Sequence, residues 1–304
     1  FLRGEHDLVV SHMLTVWQDV IAMHNDPQTV EVERMSSVPF SVVRPRLRSR
    51  NRLVRTFVEK KRFAPERYRK VIAFSRRSAD GIAAACGVSA DRLAVIRHGV
   101  DASYFFPGER LARRAAARDK LGLSGDDLVF VYVGDSWKGL EFAIRGLAAG
   151  SGSGRRVLVA SGPFRPGPFM GLAEASGLRL ICDNDWRDIR DLYGAGDALI
   201  NPTPMDTFGL AVLEAMAMGL PAITTRYAGV SELLRDGEDA FILKEPWDTE
   251  AIAGMADRIA DDAFRERMSS AASALASGLS WERPAVDHLS IYESAMRSKV
   301  SGGA

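Results

Sequence analysis

Residues 196–243 read GDALINPTPMDTFGLAVLEAMAMGLPAITTRYAGVSELLRDGEDAFIL. A short apolar run, 198–201, meets a polar loop with two prolines and then a stretch, 208–218, whose apolar residues recur at helical spacing. Gly219 stops that helix with Pro221 behind it, because glycine takes the left-handed cap and proline cannot continue a helix. A second apolar run, 222–225, follows and leads to a short helix at 231–234. Strand, loop, helix and strand in this order predict a parallel sheet covered by helices on both faces.

The same pattern extends upstream. Strands are expected at 128–133, 156–160 and 178–182, and helices at 140–148, 169–176 and 188–195. In such sheets ligands sit at the carboxyl ends of the strands. The loops that begin at Gly134, Gly162, Asn201 and Thr225 should therefore converge on one ligand. Residues 102–126 are polar and rich in Arg and Ala, and read as a link at a domain boundary. Before it, strands are expected at 7–11 and 19–23, each ending in a loop with a histidine, His12 or His24. Residues 27–67 read as helical with a basic face, and 70–75 as a strand. A short helix at 79–86 closes on Gly87, and 93–96 is another strand. Residues 281–298 form a final amphipathic helix.

The strongest chemical signal is Asp206-Thr207-Phe208-Gly209, with Glu214 eight positions beyond Asp206. Eight helical residues rise about 12 Å, the scale of a sugar, a diphosphate and a ribose laid end to end. Gly209 lets the backbone approach a ligand closely, and the free N–H groups of a helix start suit a phosphate. The two carboxylates would accept hydrogen bonds from hydroxyls at either end of that ligand. The plainer alternative is an N-cap acid and a partly exposed helical Glu.

Composition bounds the rest. The chain has 304 residues, 46% apolar and 26% charged, enough for two domains with a sizeable core. The net charge of +1 conceals fourteen Lys or Arg against only Glu59 and Glu66 within residues 44–77. That segment reads either as a solvated helix face or as a surface for anionic lipid head groups or a phosphorylated acceptor. Without aromatic interleaving or a recognised module, no nucleic-acid partner is expected. Cys86 and Cys182 fit no metal spacing and read as buried thiols in a reducing compartment. No run reaches the ~18 apolar residues of a membrane span, and no secretory signal opens the chain. The first residue is not Met and the first strand begins almost at once, so further sequence is expected before Phe1.

The stretch 196–243 closely resembles the donor-binding half of retaining glycosyltransferases of the GT-B type, family 4, among them lipopolysaccharide-core, mannosyl and glycogen-synthase-like enzymes. Their motif is two glutamates separated by seven residues, matched here by Asp206 and Glu214. The pieces VIRHGVD at 95–101, VYVGDSWKGLEFAI at 131–144, and SWE with IYESAM near the end agree. The resemblance spans roughly 68–298, more weakly 5–67. It implies an α/β fold of two Rossmann-like parallel-sheet domains, the first incomplete: 1–110 on the acceptor side, 111–280 for the nucleotide sugar, and a helix at 281–304 packing back toward the first.

The resemblance also implies roles. Glu214 would hold the ribose hydroxyls and Asp206 the donor sugar, while the amides of Phe208, Gly209 and Leu210 face the diphosphate. Lys138 would neutralise the phosphates, and Gly134 would let the backbone pass the ligand. His24, with Asp26 second and His12 third, would sit beside the reacting carbon; a surface or structural histidine is the bland alternative. His98 is a further ligand contact, whereas His6 and His288 read as structural. The sequence departs from the family in Asp135, where Arg is usual, and in a loop about two residues shorter between Gly134 and Lys138. Arg97, Arg165 or Arg226 would then supply the second cation.

The implied reaction moves a sugar from a nucleoside diphosphate to a hydroxyl of a glycan, lipid-linked or small-molecule acceptor, with retention. The donor is taken as a UDP-sugar, with a GDP-sugar as the second choice. No metal and no other cofactor are expected, since no acidic metal cluster is apparent; Asp183-Asn184-Asp185 reads as a loop near the base. The setting implied is cytoplasmic, with the basic segment available to the inner membrane face. A non-catalytic sugar-nucleotide-binding or scaffold relative is the alternative. A dinucleotide oxidoreductase is set aside because no Gly-x-Gly-x-x-Gly follows a strand.

Overall fold

The computed structural model describes residues 6–12, 15, 18–39, 51–150 and 155–301. They divide into two compact units. One comprises the described part of 1–98 together with Met205–Phe208 and the segment from Trp281; the other comprises Gly99–Pro204 and Gly209–Ser280.

The first unit holds a parallel sheet in the order β1 (Val10–Ser11), β2 (Val20–Ala22), β3 (Lys70–Ala73), β4 (Leu93–Val95). Its middle strands read VIA and VIA, and those six residues are at most 1% exposed. Runs this apolar belong to strands buried on both faces. The helices are α1 (Gln28–Ser36), α2 (Asn51–Arg62) and α3 (Arg76–Cys86). The α3 N-terminus is capped by the Ser75 hydroxyl, which accepts from the Ser78 amide at 3.1 Å. Ile82, Ala79 and Val88 pack with Ile21, Val71, Phe63 and Tyr68 into one cluster. The helical reading of 27–67 thus resolves into two helices, with residues 40–50 outside the described ones.

The second unit begins with α4 (Pro107–Lys120), inside the stretch read as a link. Its sequence hides the helix because its buried face is basic. Arg118, 7% exposed, donates to the carbonyls of Ala195, Ser124 and Asp127 at 3.2, 2.5 and 2.8 Å. Arg114 meets Asp197 at 2.6 Å, and Asp197 also accepts from the Val129 amide at 2.8 Å. Hydrogen-bonded guanidinium groups here take the place of apolar packing.

Then follow β5 (Asp127–Val133), α5 (Leu140–Ala149), β6 (Arg155–Ser161), α6 (Gly167–Ala175), β7 (Arg179–Cys182), α7 (Ile189–Ala195), β8 (Ala198–Ile200), α8 (Leu210–Ala217), β9 (Ala222–Thr225) and β10 (Phe241–Leu243). The helices α9 (Thr249–Ala260) and α10 (Asp262–Ser277) complete the unit, and α11 (Glu282–Ser301) belongs to the first. Where a helix was expected at 231–234 there is a tighter 3-10 turn, Gly229–Leu233. The sheet order is β10-β9-β8-β5-β6-β7, all parallel. Val129 to Tyr132 of β5 are fully buried, each apolar side chain contributing about 1.5–3 kcal/mol.

The strand order reverses between β5 and β8. Connections from β5 run one way across the sheet and those from β8 run the other, which opens a crevice at their carboxyl ends. Cys86 and Cys182 are free thiols, half-buried rather than fully so.

Candidate functional site

The four loops expected to converge lie against one another in the second unit, three of them main chain to main chain and the fourth through the Thr225 hydroxyl. The Gly134 amide donates to the Ser161 carbonyl at 2.9 Å. A side chain at Gly162 would lie 1.9 Å from the Gly134 carbonyl oxygen, so the two loops touch main chain to main chain. Gly139, with φ +102°, faces the loop after β8; a Cβ there would lie 2.1 Å from the Pro202 carbonyl oxygen. The Thr225 hydroxyl donates to the Thr203 carbonyl at 2.6 Å and accepts from the Tyr227 amide. The crevice at the reversal point is thus walled by backbone.

Gly134 has φ +140°, and its missing side chain leaves Lys138 Cδ at ordinary contact distance. Lys138 closes the 3-10 turn Ser136–Lys138, its amide bonded to the Asp135 carbonyl at 2.9 Å. That carbonyl also accepts from the buried Tyr132 hydroxyl at 2.6 Å, which pins the shortened loop to β5. The ammonium of Lys138 lies 5.8 Å from the Trp137 ring centroid. Arg226, one of three arginines named as a second cation, is committed to Glu245 and to the Tyr227 hydroxyl. On the other flank, Asn184 accepts from the Gly162 amide at 2.7 Å, and Asp183 pairs with Lys120 at 2.9 Å. Asp183-Asn184-Asp185 is therefore a structural loop, and among the described residues no three His, Cys, Asp or Glu are arranged to hold a metal ion.

The helix Leu210–Ala217 starts two residues later than the periodicity suggests, because Gly209 adopts φ +99° and serves as its N-cap. No side chain caps this end. The amide of Phe208 is not left for a ligand, since it donates to Asp206 Oδ1 at 3.3 Å. The Phe208 ring is buried. Within the first turn the Val212 amide donates to the Gly209 carbonyl at 3.0 Å. Glu214 accepts from the Tyr193 hydroxyl at 3.0 Å, a partner 21 positions away that the motif does not reveal. Burial raises the Glu214 carboxyl above its ordinary range, and the Tyr193 hydrogen bond partly offsets this.

In the first unit, His24 and Asp26 follow β2. His24 Nε2 lies 2.9 Å from His12 Nδ1, and the His24 carbonyl accepts from the Thr207 hydroxyl at 3.1 Å. The His24 ring packs on Phe74 at 4.6 Å between centroids. His98 stacks on the same Phe74 at 4.0 Å and meets Phe208 and Trp281 at 5.1 and 5.3 Å. Burial lowers His98 to about 4, helped by His24 and His288; burial also lowers His24, with His12 and His288 adding to it. Asp26 accepts from the Ser78 hydroxyl at 2.5 Å. Burial nevertheless raises its carboxyl, with Asp206 and Glu31 adding and Ser78 and Arg77 opposing. His288, read as structural, bonds Tyr292 at 3.2 Å within α11.

A parallel sheet whose strand order reverses, with a crevice at the strands' carboxyl ends, defines the doubly wound class of α/β domains. Comparison with known proteins then gives the family. Residues 127–262 match the family described as "Glycosyl transferases group 1", and that segment is a domain of this family. The chain is 33% identical over 224 residues to the D-inositol 3-phosphate glycosyltransferase of Saccharomonospora viridis, covering 68% of this chain and 51% of that protein. With the same-named protein of Acidothermus cellulolyticus it shares 29% over 230 residues, 70% of this chain and 50% of the relative. The chain thus spans about half the length of the curated relatives it matches.

Among solved structures, WaaG, a glycosyltransferase involved in lipopolysaccharide biosynthesis, superposes with TM-score 0.75 at 20% identity, covering 93% of this chain and 77% of that one. Sucrose-phosphate synthase from Thermosynechococcus elongatus gives 0.73 at 23%, covering 92% and 68%. HepE from Anabaena, solved with UDP-glucose, gives 0.67 at 20%, covering 93% and 79%. The fold is that of the GT-B glycosyltransferases, with a first sheet of four strands.

Proposed function

We propose that this chain transfers a sugar from a UDP-sugar to a hydroxyl acceptor with retention of the anomeric configuration and without a metal ion. The observation that carries the reading is the crevice of the second unit: four loops lying against one another, the uncapped start of the helix Leu210–Ala217, and Glu214 held by Tyr193. The family match and the UDP-glucose in HepE support the donor class; the names of the relatives favour a small polyol phosphate over a polymer as acceptor.

In this reading Lys138 and the helix-start amides of Gly209 and Leu210 stabilise the departing diphosphate, and Gly134 and Gly209 keep side chains away from it. Glu214 holds the ribose and Asp206 the donor sugar. His24 sits beside the reacting carbon, with Asp26 second. The anomeric carbon breaks its bond to the β-phosphate oxygen and forms one to the acceptor oxygen on the same face. The acceptor proton passes to the departing phosphate. Catalysis is then chiefly electrostatic.

The test is incubation with UDP-glucose and other UDP-sugars, with product anomers read by proton NMR. Retained products support the proposal; inverted products refute retention. Bound donor with neither transfer nor hydrolysis would favour the non-catalytic alternative, to which Asp135 and the engaged Arg226 lend weight. We further propose that the basic segment meets anionic lipid. Phe57, 57% exposed with Lys61 over its ring at 4.5 Å, supports this in the described part, whereas residues 44–50 lie outside it. Equal sedimentation with neutral and phosphatidylglycerol vesicles would refute it. Among the described residues no helix is long and apolar enough to cross a membrane.

A further inference from the structure

His12 and His24 leave the carboxyl ends of neighbouring parallel strands, in the register Val10↔Val20 and Ser11↔Ile21. That places both imidazoles on one rim of the sheet. Their rings lie 5.1 Å apart at 36°, and Nδ1 of His12 is 2.9 Å from Nε2 of His24. A hydrogen bond at that distance needs one N–H and one lone pair, so at least one ring is neutral. The remainder of the His24 setting is fixed as well. Phe74 lies against the ring, and Thr207 holds its backbone carbonyl. His98 stacks at 6.1 Å from His24 between centroids and makes no hydrogen bond to it. Among the described residues His24 Nδ1 has no hydrogen-bond partner.

We propose that His12 is the positioning residue of His24: by engaging Nε2 it holds the ring in one tautomer and one orientation, leaving Nδ1 as the nitrogen that meets substrate. This rests on His24 acting beside the reacting carbon, as set out above. The reasoning is that of any histidine whose second nitrogen is tied to a partner: the tie decides which nitrogen carries the proton.

The test uses the whole chain, labelled with nitrogen-15 in its histidines, and two variants. His12→Phe keeps a ring but removes the nitrogen; His12→Asn restores an amide near the position of Nδ1. Long-range proton–nitrogen NMR at neutral pH should show His24 as a single tautomer in the wild type and in His12→Asn, and as a mixture in His12→Phe. Transfer from the UDP-sugar should fall about 10- to 100-fold in kcat for His12→Phe, the range known for loss of the orienting partner of a metal-bound histidine, with KM for the donor within threefold. His12→Asn should recover to within threefold. A mixed tautomer in the wild type, or an unchanged tautomer in His12→Phe, overturns the proposal. If His12→Phe does not fold, the wild-type spectrum and His12→Asn decide it alone. Absence of transfer by the wild type would overturn the substrate role of His24, while the spectra still judge the pairing.

Discussion

Replacing Gly139 by alanine should damage both the stability of the second unit and its hold on a nucleotide. The residue has φ +102° and ψ 19°, a left-handed conformation costing an L side chain about 1–2 kcal/mol. The new Cβ would lie 2.1 Å from the Pro202 carbonyl oxygen and 2.7 Å from its carbon. Those atoms are backbone, so no rotamer change relieves the overlap; the loop after β8 or the start of α5 must move. Forced repacking of this kind costs about 1–3 kcal/mol more, for a total of about 2–5 kcal/mol. Gly177→Ala is the control within the same unit, since Gly177 has φ +72° but nothing within 4 Å of a built Cβ. At about 2–4 °C per kcal/mol for a unit of this size, Gly139→Ala should lower the melting temperature by roughly 4–20 °C and Gly177→Ala by roughly 2–8 °C. Thermal melts followed by circular dichroism give both numbers. UDP titration should show weakened binding only in Gly139→Ala, because only that change displaces the wall beside Lys138. Equal melting shifts in the two variants, with UDP affinity unchanged, would show that the Pro202 carbonyl does not limit the space at Gly139.

Two more predictions concern Glu214 and the histidines of the first unit. Tyr193→Phe removes the hydroxyl that donates to Glu214 and leaves a half-buried carboxylate without that donor; it should cost about 1–3 kcal/mol in chemical unfolding and raise the Glu214 carboxyl further, so that UDP binding weakens more at pH 6 than at pH 8. An affinity equal to wild type at both pH values would count against it. The first unit should lose stability on acidification: His98 falls to about 4 in the fold and His24 and His288 are also lowered, against about 6.5 unfolded. The unfolded chain then binds more protons below pH 6.5, so stability present at pH 7 drains as pH falls toward 4; Asp26, raised in the fold, opposes this in part. Melts at pH 7.5 and 5.0 should differ by about 1–2 kcal/mol in favour of pH 7.5, and His98→Gln should flatten the difference. Equal or greater stability at pH 5.0 would contradict the assignment.

Much of the second unit is legible in the chain because its strands are short, mostly apolar and bounded by loops that hold glycine or proline. The residues 198–200 and 222–225 are strands for that reason, and Gly209 marks the start of its helix. Helix α4 is hidden because arginine, not leucine, fills its buried face, so no apolar period exists to be found. In the site, spacing points to Glu214, but its partner Tyr193 lies on another helix and becomes visible only when α7 and α8 are folded. The same holds for the histidines. His12, His24 and His98 end separate strands, and a parallel sheet aligns those ends although the sequence separates them by as much as 86 positions. Asp206 illustrates the reverse: its place in the motif is plain, yet that its carboxylate takes the Phe208 amide is a local turn geometry that spacing does not encode.

Whether the second unit holds a nucleoside diphosphate with Glu214 at the ribose is decided by calorimetric titration of UDP into the wild type and Glu214→Ala. UDP should bind the wild type at micromolar strength and Glu214→Ala at least tenfold more weakly, with GDP and ADP weaker in the wild type. UDP binding of equal strength in both proteins, or none in the wild type, would contradict it.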